Sequence, residues 1–191
     1  MSSLNDFDEE ATSKSVVVAL LVLAIFHNWQ WTSPKQLSQV VLASLVCDVG
    51  LSDLAVRKKV SQMSAAELIE YEEHPLKGYL LLSKIKNIPD DVLMIVLQHH
   101  ENEAGSGFPY KATKLTLHAY SRVVHTLFEY TELVQKMTSR QSIQECLDKM
   151  ACVQKYLVSQ QVLKTLYLIF EIPVPLDLQS VQLPSLNVRL S

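Results

Sequence analysis

The sequence predicts an all-α domain, and three observations carry that expectation. Apolar residues recur at helical spacing along nearly the whole chain, with no alternating strand pattern before residue 170. Caps and first-turn prolines mark where helices should begin. Glycine is scarce, four in 191 residues, and 48% of the residues are hydrophobic, enough for a sizeable core in one domain or one domain plus a tail.

The elements follow in order. The longest apolar run, Ser15 to Phe26 in "SVVVALLVLAIF", reads as a buried helix. Thr32-Ser33-Pro34 reads as an N-cap followed by a first-turn proline, opening a helix to about Val46. Ser64-Ala65-Ala66-Glu67 is a capping box that opens the next. Pro75 should begin a helix through "LKGYLLLSKI", and Pro89 another through "DDVLMIVLQHH". A long loop from Glu101 to about Leu115 carries a Gly-Phe-Pro turn, and Thr116 to Met137 is again helical. Helices over roughly 140–151 and 155–170 close the bundle. The last twenty residues change character, with three prolines among recurring leucines and valines, and predict an extended tail that packs along the body or serves as a docking segment. The expected organisation is therefore a flexible acidic N-terminus over 1–12, a helical domain over 13–170 and the Pro-containing tail over 171–191.

Composition excludes several classes of function. A formal charge of −3 gives no footprint for a nucleic-acid backbone, and the one dense basic cluster, Arg57-Lys58-Lys59, reads as a solvated turn. The apolar run is shorter than the about 20 residues a membrane span needs, and Asp6, Asp8, Glu9 and Glu10 stand where a signal peptide would be cationic. Cys47, Cys146 and Cys152 are odd in number and lack zinc-type spacing, which fits a reduced cytoplasmic compartment. Trp29 and Trp31 flank a helix end beside His27 and read as packing and capping groups, with an interface role as the alternative.

One stretch calls for chemistry. In "QHHENEAGSGFPYK" two adjacent histidines and an acid stand where a helix gives way to a Gly/Pro loop. A divalent metal needs three or four N, O or S donors converging from different elements. His74 opens one helix and Asp48 closes another. Asp48, His74 and His99-His100 thus lie at helix ends 26 and 25 residues apart, a spacing that suits helices packed side by side.

These residues carry a resemblance. Over roughly residues 10–135 the chain resembles the HD-GYP subgroup of the HD superfamily of metal-dependent phosphohydrolases, helical proteins that hydrolyse cyclic di-GMP in bacteria. "HHENEAGSGFP" is similar to the family's His-His-Glu, two spacers and Asp-Gly-x-Gly-Tyr-Pro. "EEHPLKGYLLL" resembles its His-Pro-x-x-Gly helix, "LASLVCDVGLSD" falls where the family has His-Asp-Ile-Gly-Lys, and Arg122-Val123 sits where its later Arg-Ile pair would. The resemblance implies an HD-type helical bundle with a Gly-Phe-Pro loop.

It also implies a ligand set. The family's second metal would be held here by Asp48, His74, His99 and His100, all four retained. Its first metal would fall to Lys14, Cys47, Asp48 and Phe128, of which only Asp48 keeps the family's ligand. The lysine after the His-Asp pair is Leu51, the loop aspartate is Ala104, and the Gly-Tyr-Pro tyrosine is Phe108. Glu10, one turn before Lys14, stands where some members place a ligand for an extra metal. Phe128 has no donor atom and a charged lysine has no lone pair, so the two-metal hydroxide of a phosphodiesterase should be lost. Cys47 as a thiolate ligand competes with Cys47 as a core thiol.

The expected function is a catalytically inactive HD-GYP-like signalling or interaction domain keeping one divalent metal, iron, manganese or zinc. A residual mononuclear cyclic di-GMP phosphodiesterase and a metal-free scaffold are the alternatives. Glu101 is expected to orient a histidine ring from outside the ligand set, or equally to be a solvated helix-end acid. Gly105 and Gly107 allow the loop to turn sharply and present Phe108, beside Pro109, outward to a protein partner such as a diguanylate cyclase domain, although Phe108 folded back on the bundle is an equal alternative. Lys14 is expected to stand in for the missing ion's charge beside Asp48, with a solvated first-turn lysine as an equal alternative.

Overall fold

The structure, a computed structural model, describes residues 3–30, 33–51, 60–137 and 142–184, with side chains from Lys14 onward. The Arg57-Lys58-Lys59 cluster, Trp31 and the side chain of Glu10 lie outside that description. Helix α1 (Ser3–Asn28) starts well before the apolar run. It packs against α2 (Pro34–Val46), α6 (Ala119–Gln135) and α8 (Gln160–Ile169). Only one stripe of α1 meets those neighbours. Val18, Val22, Ile25 and Phe26 are fully buried, while Leu20 is 59% exposed, so the run is amphipathic in use and not buried all round as expected. Trp29 seals the end of the helix, its indole N–H donating to the Thr165 hydroxyl on α8 at 2.7 Å.

The caps read from the sequence form. Ser33 accepts from the Gln36 N–H ahead of α2, and Ser64 and Glu67 close a reciprocal box on α3 (Ala65–Glu72). A second box, Ser142 with Glu145, opens α7 (Ile143–Val153). Helix ends differ more. α4 (His74–Leu82) stops three residues short of Ile85, where Ser83 turns its hydroxyl back to the Leu80 carbonyl. α5 (Asp90–Gln98) ends before the paired histidines, which sit in the turn that follows. The expected start of the next helix at Thr116 is instead a turn in which Thr113 and Thr116 bond each other; α6 begins at Ala119, after the His118 N–H has been taken by the Gln98 side chain.

The tail, described to residue 184, packs along the body. Leu178 on the short α9 (Leu176–Gln179) is 1% exposed, and the Lys164 ammonium donates to the Gln179 and Val181 carbonyls at 2.7 Å each. Among the described residues β pairing is limited to one bridge, Ala104 with Thr113, and no helix is long and apolar enough to cross a membrane. Functionally, the important packing is that of α4 and α5 around the single turn Cys47–Gly50.

Candidate metal centre

Asp48 sits in the Cys47–Gly50 turn, and Gly50 lets that turn press on the start of α4. A Cβ there would lie 2.1 Å from the His74 carbonyl oxygen and 2.4 Å from the Gly78 nitrogen, so only glycine permits the approach. The result places Asp48 beside His74, which is 1% exposed at the first turn of α4. His99 and His100 reach the same point from the end of α5. One ligand atom from each of the four residues lies within 4.8 Å of the others.

The ring orientations are fixed by backbone. The His74 Nδ1–H donates to the Tyr71 carbonyl at 2.6 Å, and the His99 Nδ1–H to the Val96 carbonyl at 2.8 Å. Each bond demands a proton on Nδ1, which leaves Nε2 of each neutral ring with a lone pair. Those two Nε2 atoms face each other at 3.1 Å, and each is 3.4 Å from Asp48 Oδ1. Burial holds His74 below the ordinary imidazole range and His100 well below it, so neutral rings are favoured. Burial would raise the Asp48 carboxyl, yet it is held well below the usual range among the three imidazoles, and it stays ionised. Facing lone pairs beside a carboxylate repel unless a cation lies between them. Three imidazole nitrogens and one carboxylate oxygen therefore fit a single divalent ion such as iron, manganese or zinc.

The other expected positions cluster on one flank. The Phe128 ring, 4% exposed, lies 5.7 Å from the His99 ring, and the Lys14 ammonium sits 5.2 Å above the Phe128 ring centre. Lys14 does not pair with Asp48 as expected. Its ammonium bonds Glu132 at 3.2 Å, because α1 runs against α6 and Glu132 stands one helical turn beyond Phe128. Cys47 is fully buried, donates to the Ser44 carbonyl at 3.3 Å, and has its thiol pushed well up by burial, the setting of a core thiol. Sequence reasoning missed Glu132, and also His125, whose Nδ1–H donates to the His99 carbonyl at 3.2 Å. Burial pushes His125 down to about 4. Both lie on the Phe128 face of α6, three residues before it and four after, and that spacing was the available signal.

The Gly-Phe-Pro loop closes over the histidines. A Cβ on Gly107 would meet the His100 carbonyl oxygen at 2.3 Å, and Gly105 adopts φ 74°, so both glycines are required where they stand. Phe108 is not presented outward. Its ring stacks on His100 at 4.4 Å and 20°, and Tyr71 flanks it at 5.7 Å. Pro109 follows, half-buried. Glu101 does not orient a ring either: its two oxygens accept from the Tyr110 and Ala112 N–H groups at 2.6 and 2.9 Å, pinning the loop shut. Glu101→Gln is expected to leave one of those N–H groups facing an amide donor. Hydrogen exchange at residues 110–112 should quicken as if roughly 1–3 kcal/mol of local protection were lost; unchanged exchange would show that other contacts hold the loop.

A model of the HD domain family matches residues 2–157. No curated protein sequence matches the chain. Among solved structures, Bd1817, an HDG"Y"P protein from Bdellovibrio bacteriovorus, superposes with a TM-score of 0.71 at 21% identity, over 84% of this chain and 52% of its own. A cyclic GMP-AMP specific phosphodiesterase of V. cholerae, V-cGAP3, superposes at 0.62 with 15% identity, over 84% of this chain and 44% of its own. The chain thus spans about half the length of each.

Proposed function

The chain belongs to the HD domain family, and from that premise we propose that it is a one-metal member that binds a phosphorylated ligand without turning it over efficiently. Asp48, His74, His99 and His100 hold the ion. The observation that carries this reading is the pair of Nε2 atoms 3.1 Å apart, each with its other ring nitrogen committed to a backbone carbonyl. A bound ion supplies charge that attracts and polarises a phosphoryl oxygen. Two-metal hydrolysis additionally needs a hydroxide held between ions. On the flank where a second ion would lie, Phe128 offers no donor atom, the Cys47 thiol is buried and committed to the Ser44 carbonyl, and Lys14 brings its own positive charge. The ligand class we infer is a cyclic dinucleotide, the kind of molecule the V. cholerae neighbour is named for. Any protein contact of the loop would centre on Tyr110, which is 60% exposed, in place of the inward-turned Phe108.

The test is metal content of protein purified without chelators and reloaded with iron, manganese or zinc. One ion per chain and little hydrolysis of cyclic di-GMP or cyclic GMP-AMP are expected. Two ions per chain, or rapid hydrolysis, would sink the reading. The same titration has a predictable pH dependence. Protons compete with the metal for Nε2, and burial keeps His74 and His100 from protonating until below the ordinary imidazole value of about 6.5. Binding should be nearly constant above that pH and weaken only on further acidification, with the midpoint on the acid side of 6.5; a midpoint above it would mean that the rings are solvated.

A further inference from the structure

We propose that Lys14 is an exchangeable anion clamp for this centre: its ammonium leaves Glu132 to take a phosphoryl oxygen of a ligand whose other oxygen is on the metal, a step that rests on the one-metal reading. Three features of the site support it. First, the ammonium borders the histidine cluster, since it lies over the Phe128 ring, which in turn lies against the His99 ring. Second, Lys14 is only loosely committed. Glu132 is 43% exposed and also holds the Lys136 ammonium, so it keeps a cation and water when Lys14 departs. The remaining attraction on Lys14 is the face of a phenylalanine ring, which is weaker than an anionic oxygen. Third, the walls are rings, Tyr71, Phe108 and Phe128, so a contact between ammonium and phosphoryl oxygen forms in a poorly screened setting.

A group with two anionic oxygens on one phosphorus matches this pair of cations, and phosphate monoesters and diesters are that class. Lys14 would thereby supply fixed charge where the fold can otherwise use an ion, favouring capture over hydrolysis because an ammonium cannot generate a bound hydroxide.

The experiment is a calorimetric titration of inorganic phosphate into the metal-loaded protein, after metal content has been measured for each variant. Lys14→Met should keep its metal and bind phosphate about tenfold more weakly or worse, Lys14→Arg should stay within about threefold of the wild type, and Glu132→Gln, which frees the ammonium, should bind phosphate more tightly. Equal phosphate affinity in Lys14→Met and wild type overturns the proposal, as does phosphate binding that is indifferent to metal. Should Lys14→Met not fold, an unchanged affinity in Glu132→Gln overturns it equally. Wild type that takes up no metal overturns both this proposal and the one-metal reading, whereas metal uptake with no role for Lys14 overturns this one alone.

Discussion

Gly50→Ala is expected to unfold the site and to destabilise the protein by roughly 3 kcal/mol or more, the upper end of what overpacking costs. The added methyl would stand 2.1 Å from the His74 carbonyl oxygen and 2.4 Å from the Gly78 nitrogen, and both obstacles are backbone. No rotamer change relieves that clash. Either the Cys47–Gly50 turn or the first turn of α4 must withdraw, and Asp48 and His74 sit one on each. A loss of that size in a chain of this length lowers the melting temperature by about 6–12 °C. Metal content should fall with it, because Asp48 Oδ1 and His74 Nε2, now 3.4 Å apart, can no longer converge. A variant that melts within about 2 °C of the wild type and keeps its metal would show that the turn adapts, and that the approach is looser than drawn.

The second large effect is at His99. Removing a partner outside the ligand set of a typical metal site weakens binding 10- to 100-fold, so removing a ligand whose Nε2 faces both His74 and Asp48 should weaken it by at least about a hundredfold. His99→Ala should therefore purify without metal. The wild type should gain about 2.7 kcal/mol when the ion is present at a hundred times its dissociation constant, and the variant, at the same ion concentration, at most about 0.4 kcal/mol. This comparison is made between loaded and unloaded samples of the same variant, so the cavity left by the deleted ring cancels out. Equal metal-induced stabilisation in both proteins would remove His99 from the ligand set.

The positions of Asp48, His74, His99 and His100 were legible because each is announced by a local event: a first-turn proline after His74, a glycine two residues after Asp48, a Gly/Pro loop after His100. Helix ends bring such residues together once the helices pack. The partner of Lys14 was not legible. An ammonium on α1 can reach several acids, and the choice of Glu132, 118 residues away, is made by how α1 lies on α6. The direction of Phe108 was hidden for a similar reason. Its sequence neighbours permit either side, and what turns it inward is the flat face of His100 together with a loop pinned by Glu101. Helix limits slipped by two to five residues, the most at Gln160, where the last bundle helix was expected from about residue 155, and at Ala119 because Gln98 takes the His118 N–H.

The backbone anchors of the histidines give the centre a division of labour by chain origin. All four converging residues, and the Tyr71 and Val96 carbonyls that aim two of them, come from the stretch between Asp48 and His100. The flank made by Lys14, Phe128 and Glu132 comes from α1 and α6, outside that stretch. Substitutions at Lys14 or Glu132 can therefore rewrite the flank while the Tyr71 and Val96 carbonyls still aim His74 and His99. Charge beside the centre is thus set by residues other than the four that converge on it.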